Sequence, residues 1–235
     1  MFLFLKLILA HLIADFILQF EELYHLKVRH FAGHTLHVVI HGTVTALLLF
    51  PYLNEPVILG FIALLTVEHL LQDTIKYHLT KKFPAKRFAY YMTDQICHLA
   101  FLCVIFLIPF ANEARPLPGP ALLNFFYLDS GVTSFAIFFI ILTFAASYTL
   151  NSFYQSYVPG PRPLHWITSP EITIAIAERS VIAGAVIFLP GLGSMALALA
   201  AGLLRLPFKN LRNWNDFLVS AAWSLAVSAA YLGLS

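Results

Sequence analysis

The chain opens on an apolar run, FLFLKLILAHLIADFILQF, as long as the roughly 20 residues a helix needs to cross a bilayer. Similar runs recur to the C-terminus. By length and hydropathy, eight spans are predicted, at about 2–20, 34–53, 57–78, 88–109, 131–150, 171–189, 192–206 and 215–234. The seventh is short and starts at the Pro-Gly-Leu-Gly turn of residues 190–193, so it is tilted or only partly spanning. The expected fold is all-α, a polytopic membrane bundle of about eight transmembrane helices. The first run resembles a signal peptide in length, but it has no basic leading segment or small-x-small cleavage site, and it carries His11 and Asp15. It is read as a mature helix.

The polar residues that interrupt these runs form a pattern. The first helix carries His11 and Asp15, the second His37 and His41, the third His69 and Asp73, the fourth Asp94 and His98. Each pair is spaced i, i+4, which places both side chains on one helix face. From His11 to His69 is 58 residues and from His37 to Asp94 is 57, so the first four helices read as a duplicated helical hairpin. The expected organisation is a ligand-bearing four-helix half over residues 1–110, a Pro-rich external linker over 111–130 containing ARPLPGP, and a second four-helix half over 131–235. VPGPRP at 158–163 is stiffened by three prolines.

Charge sets the orientation. Connections after helices one, three, five and seven, with the adjoining helix ends, hold Lys27, Arg29, Lys76, Lys81, Lys82, Lys86, Arg87, Arg162, Arg205, Lys209 and Arg212. The opposite face holds only Arg115, while Lys6 and Arg179 lie within spans. The positive-inside rule then puts both termini outside and the basic connections in the cytoplasm. In that topology all eight paired groups fall in one layer on the order of 10 Å thick at ~1.5 Å rise per residue, toward the cytoplasmic side.

Composition agrees: 60% of residues are hydrophobic and 11% charged, against roughly a quarter charged in soluble domains. The formal charge of +2 gives no reason to expect a nucleic-acid partner. Cys97 and Cys103 share one apolar segment and read as packing residues.

Ionisable groups inside a bilayer are strongly disfavoured and usually functional. A divalent cation offsets that penalty by taking the carboxylates and imidazoles as ligands. Five histidines and three aspartates form a mixed N/O set that suits Zn, Fe, Mn or Ni, and eight donors are enough for one or two ions. Some of the aspartates can instead orient ligand histidines. The alternatives are a proton or ion relay without metal, and His–Asp pairing that only joins helices. Glu178 and Arg179 in helix six lie near the same layer, as general base and anion clamp, or as a charge pair tying that helix to its neighbours. Glu68, Gln72 and Gln95 flank the pairs as supporting donors or face other helices, and His25, His30 and His34 read as solvated loop histidines.

HLIADFILQ, HVVIH, EHLLQDTIK and DQICH, in that order over roughly residues 7–105, resemble an uncharacterised bacterial integral-membrane family, domain-of-unknown-function family 3307. AERSVI, with Glu178 and Arg179, resembles that family's second half, whereas Asp216-Phe217 departs from the Glu-Tyr expected there. The resemblance implies a bacterial inner-membrane protein and brings no established reaction. Taken together, the expected function is a membrane-embedded metal-dependent hydrolase acting on a lipid or membrane-peptide substrate, with Zn as the first choice of metal. The competing expectations are a di-iron lipid oxidase or hydroxylase, a metal or proton transporter, and a scaffold subunit.

Overall fold

The computed structural model describes residues 1–157, 170–189, 197, 200–202 and 214–234; the VPGPRP segment and most of the seventh predicted span lie outside the described residues. Among these the chain is all-α, with no strand. The elements are α1 (Phe2–Leu12, continued by a π-helical turn at Ile13–Ile17), α2 (Glu21–Arg29), α3 (Phe31–Leu48), α4 (Pro56–Lys82), α5 (Arg87–Leu102), α6 (Ala121–Leu128), α7 (Ser130–Ile140), α8 (Ala146–Tyr157), α9 (Pro170–Phe188) and α10 (Trp214–Leu234). Among the described residues, five helical stretches are long and apolar enough to cross a membrane, α7 and α8 together making one of them, or up to six if α1 and α2 count as one bent span. Helix α9 is not among them; Glu171, Glu178 and Arg179 interrupt its apolar run.

Two compact units are present, Met1–Ile137 with Ser152–Arg162, and Phe138–Asn151 with Pro163–Ser235. In the first, α1 packs on α3, α3 on α4, α4 on α5 and α5 on α1, which closes a four-helix ring. One end of the ring is filled by Phe2, Leu3, Leu7, Leu49, Tyr52, Ile58, Phe61, Leu102 and Ile105, all buried. That end is tied off by backbone and side-chain bonds. Leu3 N donates to Ala111 O at 3.0 Å, and Lys6 Nζ to Tyr127 O at 2.5 Å and Thr133 Oγ1 at 2.7 Å. Asp129 Oδ1 caps α7 by accepting from Gly131 N and Val132 N.

The first helix departs from the straight span predicted to residue 20. It stops at Ile17, and after Leu18–Phe20 the chain turns by 84° into α2. Gln19, Glu21 and Glu22 cannot continue an apolar helix. The two glutamates instead stand at the N-terminus of α2, with Lys27 and Arg29 at its C-terminus, both favourable to the helix dipole. After extended His30, α3 folds back against α2 so closely that a Cβ at Gly33 would lie 2.2 Å from Lys27 N and 2.4 Å from Leu26 C. Only glycine fits there.

In the second unit, Phe138, Leu142 and Ala183 form one core with Ile187, Val227 and Tyr231 against it, and Ile182, Ala201 and Phe217 form another. Ser220, Ser224 and Ser228 line one buried face of α10 at i, i+4 spacing.

Gly33→Ala forces α2 off α3 by backbone clash. It is expected to destabilise the first unit by about 1–3 kcal/mol, the usual range for overpacking, read as a lower unfolding midpoint in mild detergent.

Candidate metal centre

The i, i+4 spacing does what helix geometry requires: each pair faces the inside of the four-helix ring. His11 comes from α1 and Asp15 from the π-helical turn that ends it, where the wider turn carries the carboxylate into the bundle. Such turns are frequent at functional sites. His37 and His41 come from α3, His69 and Asp73 from α4, Asp94 and His98 from α5. The structure brings all eight together, and all but His11 are buried. The five imidazoles form a contiguous group around His69, whose ring centroid lies 3.7 Å from that of His41, 4.2 Å from His98, 5.2 Å from His37 and 5.8 Å from His11.

Two tiers can be distinguished. In the first, Asp15 Oδ1 lies 2.8 Å from His41 Nε2, 3.1 Å from His37 Nε2 and 3.7 Å from His69 Nε2, and the Nε2 atoms of His37 and His69 are 3.3 Å apart. Donor atoms of Asp15, His37, His41 and His69 all fall within 4.8 Å of one another, and the group could hold a metal ion. Zinc bonds of about 2.0–2.2 Å to N and O in a tetrahedron require donor separations of about 3.3–3.5 Å. The four separations, 2.8–3.7 Å, lie on either side of that value, so the residues present fit a tetrahedral ion. Gln95 Nε2 donates to Asp15 Oδ2 at 3.0 Å and so leaves Oδ1 to the histidines. His11 Nε2 stands 3.4 Å from Gln95 Oε1 and 3.5 Å from Asp15 Oδ2.

The second tier differs. His69, Asp73 and His98 form another group that could hold an ion. Here, however, both Asp73 oxygens already face ammonium groups: Lys27 Nζ donates to Oδ2 at 2.5 Å and Lys76 Nζ to Oδ1 at 2.6 Å. Lys76 also reaches Asp94 Oδ2 at 2.7 Å. Asp73 is 2% exposed, and in so dry a setting a carboxylate persists only with such partners. His98 Nε2 is 3.4 Å from Asp94 Oδ1 and His98 Nδ1 3.5 Å from Glu68 Oε2. Among the described residues, neither His98 nitrogen, nor Asp94 Oδ1, nor Glu68 Oε1 has a hydrogen-bond partner.

Lys27 and Lys76 are the residues that sequence reading misplaces. Both look like connection cations that mark a membrane face, yet Lys27 is buried and Lys76 is only partly exposed. For Lys76 a signal exists, since it stands one turn beyond Asp73 on the same helix. For Lys27 none does, because only the unforeseen bend after Ile17 returns it to the bundle. His34, expected in solvent, is buried in the first turn of α3 against the Tyr77 ring.

On the apolar side of the cluster lies a cavity of about 30 Å³, lined by His11, His41, His69, His98 and Glu68 with Gly42, Thr45, Thr66 and three leucines. It has room for a water-sized molecule, and its walls offer the polar partners that one needs. Glu178 and Arg179 lie in the second unit, both buried in α9. There the Arg179 guanidinium donates to Thr143 O at 2.7 Å, Ser147 Oγ at 2.8 Å and Ser220 Oγ at 3.1 Å, which joins three helical segments of that unit.

Residues 3–115 match the model of a family described as a protein of unknown function, DUF3307, the family that the four motifs resemble. The matched region takes in α1 to α5 and every residue of the cluster. Comparison with curated proteins and with solved structures returns no match.

Removing one partner of a buried ion pair is destabilising by about 3–5 kcal/mol when the other charge is left without compensation. Here Lys76 stays on Asp73 Oδ1, so the loss of Lys27 falls below that range but leaves Oδ2 without its ammonium. Lys27→Met is therefore expected to lower the unfolding midpoint more than the double change Lys27→Met with Asp73→Asn. Equal losses in a thermal melt would show that the two side chains are not coupled.

Proposed function

We propose that the DUF3307 region of this chain is a membrane-embedded, metal-dependent enzyme, a hydrolase acting on a lipid or a membrane-embedded peptide. The observation that carries this reading is the convergence of Asp15 Oδ1 with the Nε2 atoms of His37, His41 and His69, 2.8–3.7 Å from it, in a buried interior. Three nitrogens and one oxygen favour Zn, with Fe or Mn as alternatives; when bound, the metal supplies Lewis acidity. Charge supports the same reading. Asp73 and Asp94 are paired with the ammonium groups of Lys27 and Lys76, whereas Asp15 meets His11, His37, His41, His69 and Gln95 and, among the described residues, no ammonium.

Around that centre the chain's own residues divide the chemistry. Gln95 fixes the Asp15 carboxylate through Oδ2 and aims its other oxygen at the histidines. His11, His98, Thr45 and Thr66 wall a space that admits water and excludes a lipid, so the scissile bond of a substrate meets the cluster at the margin of that space. Glu68 lines the same space with a buried carboxylate oxygen free of hydrogen bonds among the described residues, placed to accept a proton there.

In this reading the first four long helices are two copies of one hairpin, and the chain makes eight crossings. Both termini lie outside a bacterial inner membrane and the basic connections lie in the cytoplasm. An enzyme is favoured over a carrier because the interior beyond the cavity is filled by the buried side chains of Leu3, Leu7, Leu49, Tyr52, Ile58 and Ile105.

Isotopic labelling separates the readings. Untagged protein in nanodiscs of bacterial polar lipid, held in H2(18)O, is expected to place one heavy oxygen in a lipid or peptide product, and a chelator should stop it. Label drawn from (18)O2 instead would make the protein an oxygenase, and zinc flux into sealed vesicles without product would make it a carrier. His41→Ala and His69→Ala are each expected to lower metal affinity by more than about 100-fold, beyond the 10–100-fold typical of a supporting partner such as Gln95→Leu.

A further inference from the structure

The first copy of the hairpin supplies Asp15, His37 and His41 to the first tier, while the second copy supplies His69 to both tiers and Asp73 and His98 to the second; the two sets are compensated differently. In the repeat, His11 corresponds to His69, Asp15 to Asp73, His41 to His98, and His37 to Asp94. The last correspondence breaks the symmetry. Where the first copy sets an imidazole beside its aspartate, the second sets a carboxylate. Two buried carboxylates side by side need a cation between them. Lys76 Nζ stands at that point, 2.6 Å from Asp73 Oδ1 and 2.7 Å from Asp94 Oδ2. The position equivalent to Lys76 in the first copy is Leu18, so the first tier has no ammonium of its own.

Around Lys76 the remaining donors resemble a metal shell that was left unused. Asp94 Oδ1 and both ring nitrogens of His98 are buried without a hydrogen-bond partner among the described residues. His98 is 2% exposed, and His69, Asp73 and His98 offer donors within 4.8 Å of one another. The donors of a second ion are therefore present, but an ammonium bridges the two carboxylates that it would require.

We propose that Lys76 is a built-in cation that holds the second ion position of a latent dinuclear cluster, so that the protein binds one divalent metal, in the tier of Asp15, His37, His41 and His69. This rests on the reading of that tier as a metal site. A divalent ion and the Lys76 ammonium compete for the same carboxylate oxygens, and at such distances their like charges exclude joint occupancy. Once Lys76 loses its charge, Asp73, Asp94 and His98 become a second site for a transition-metal ion.

The test is the count of zinc ions per chain, by elemental mass spectrometry of untagged protein equilibrated with Zn²⁺ in mild detergent and freed of excess. One ion is expected in the wild type, one in Lys76→Arg, which keeps a cation in place, and two in Lys76→Met. In His41→Ala combined with Lys76→Met, one ion is expected to remain, held by the second tier alone. Two ions in the wild type, or one in folded Lys76→Met, overturn the inference and leave the metal site standing. No ion in the wild type removes the metal site itself, and the inference with it. Where Lys76→Met does not fold, Lys76→Gln, which keeps a polar side chain without the charge, is read in its place: two ions are expected, and one ion in the folded protein overturns the inference.

Discussion

The pairing of Asp73 with Lys27 is the contact on which the rest of the first unit turns. A carboxylate this deep in an apolar bundle is tolerated only with opposite charge at hydrogen-bond distance. The ammonium at 2.5 Å comes from a residue 46 positions earlier, on a short helix that has to fold back to deliver it. The 84° turn after Ile17, the extended His30 and the missing side chain at Gly33 all serve that delivery. Gln19 shares in it, accepting from Lys27 Nζ at 2.9 Å.

From this contact the interior can be read as a stack. Apolar side chains fill the end of the ring near Phe2 and Ile58. A small polar-walled space follows, then the imidazoles with Asp15, then Asp73 and Asp94 under their two lysines. Each layer conditions the next. The apolar plug keeps the dielectric low, which strengthens every electrostatic contact beneath it. The lysines neutralise the outermost acids and so leave the Asp15 tier as the place where a cation is still called for.

Local spacing made much of this legible. An i, i+4 pair faces one side of a helix whatever surrounds it, so His11, His37, His69 and His98 with their partners could be grouped from the sequence. The all-α class follows from runs of apolar residues in the same way. What the sequence conceals depends on tertiary geometry. LQFEE ends the apolar run but does not announce a sharp turn, since neither proline nor glycine stands there and the π-helical turn before it has no residue signature. Lys27 therefore reads as a loop cation, and so does Lys76, because the positive-inside rule counts charges without asking what they touch. His34 is hidden for a related reason: α3 begins three residues earlier than its apolar run suggests, and the histidine is drawn into its first turn.

The order of residues along the chain gives the Lys27–Asp73 contact a meaning in time. A protein is synthesised from its N-terminus, so the ammonium on α2 already exists when Asp73 leaves the ribosome, and the buried acid emerges to a waiting partner. Asp15 has no such provision. It is made first, while His37, His41 and Gln95 that surround it come 22, 26 and 80 residues later. Until α3 arrives, the partner of Asp15 is His11, 3.5 Å away on the same helix, and the bend at Leu18–Phe20 lies about one helical turn from the carboxylate. During synthesis Asp15 can rest at an aqueous boundary and be drawn inward only as the ring closes, which makes closure of the bundle and assembly of its centre a single event.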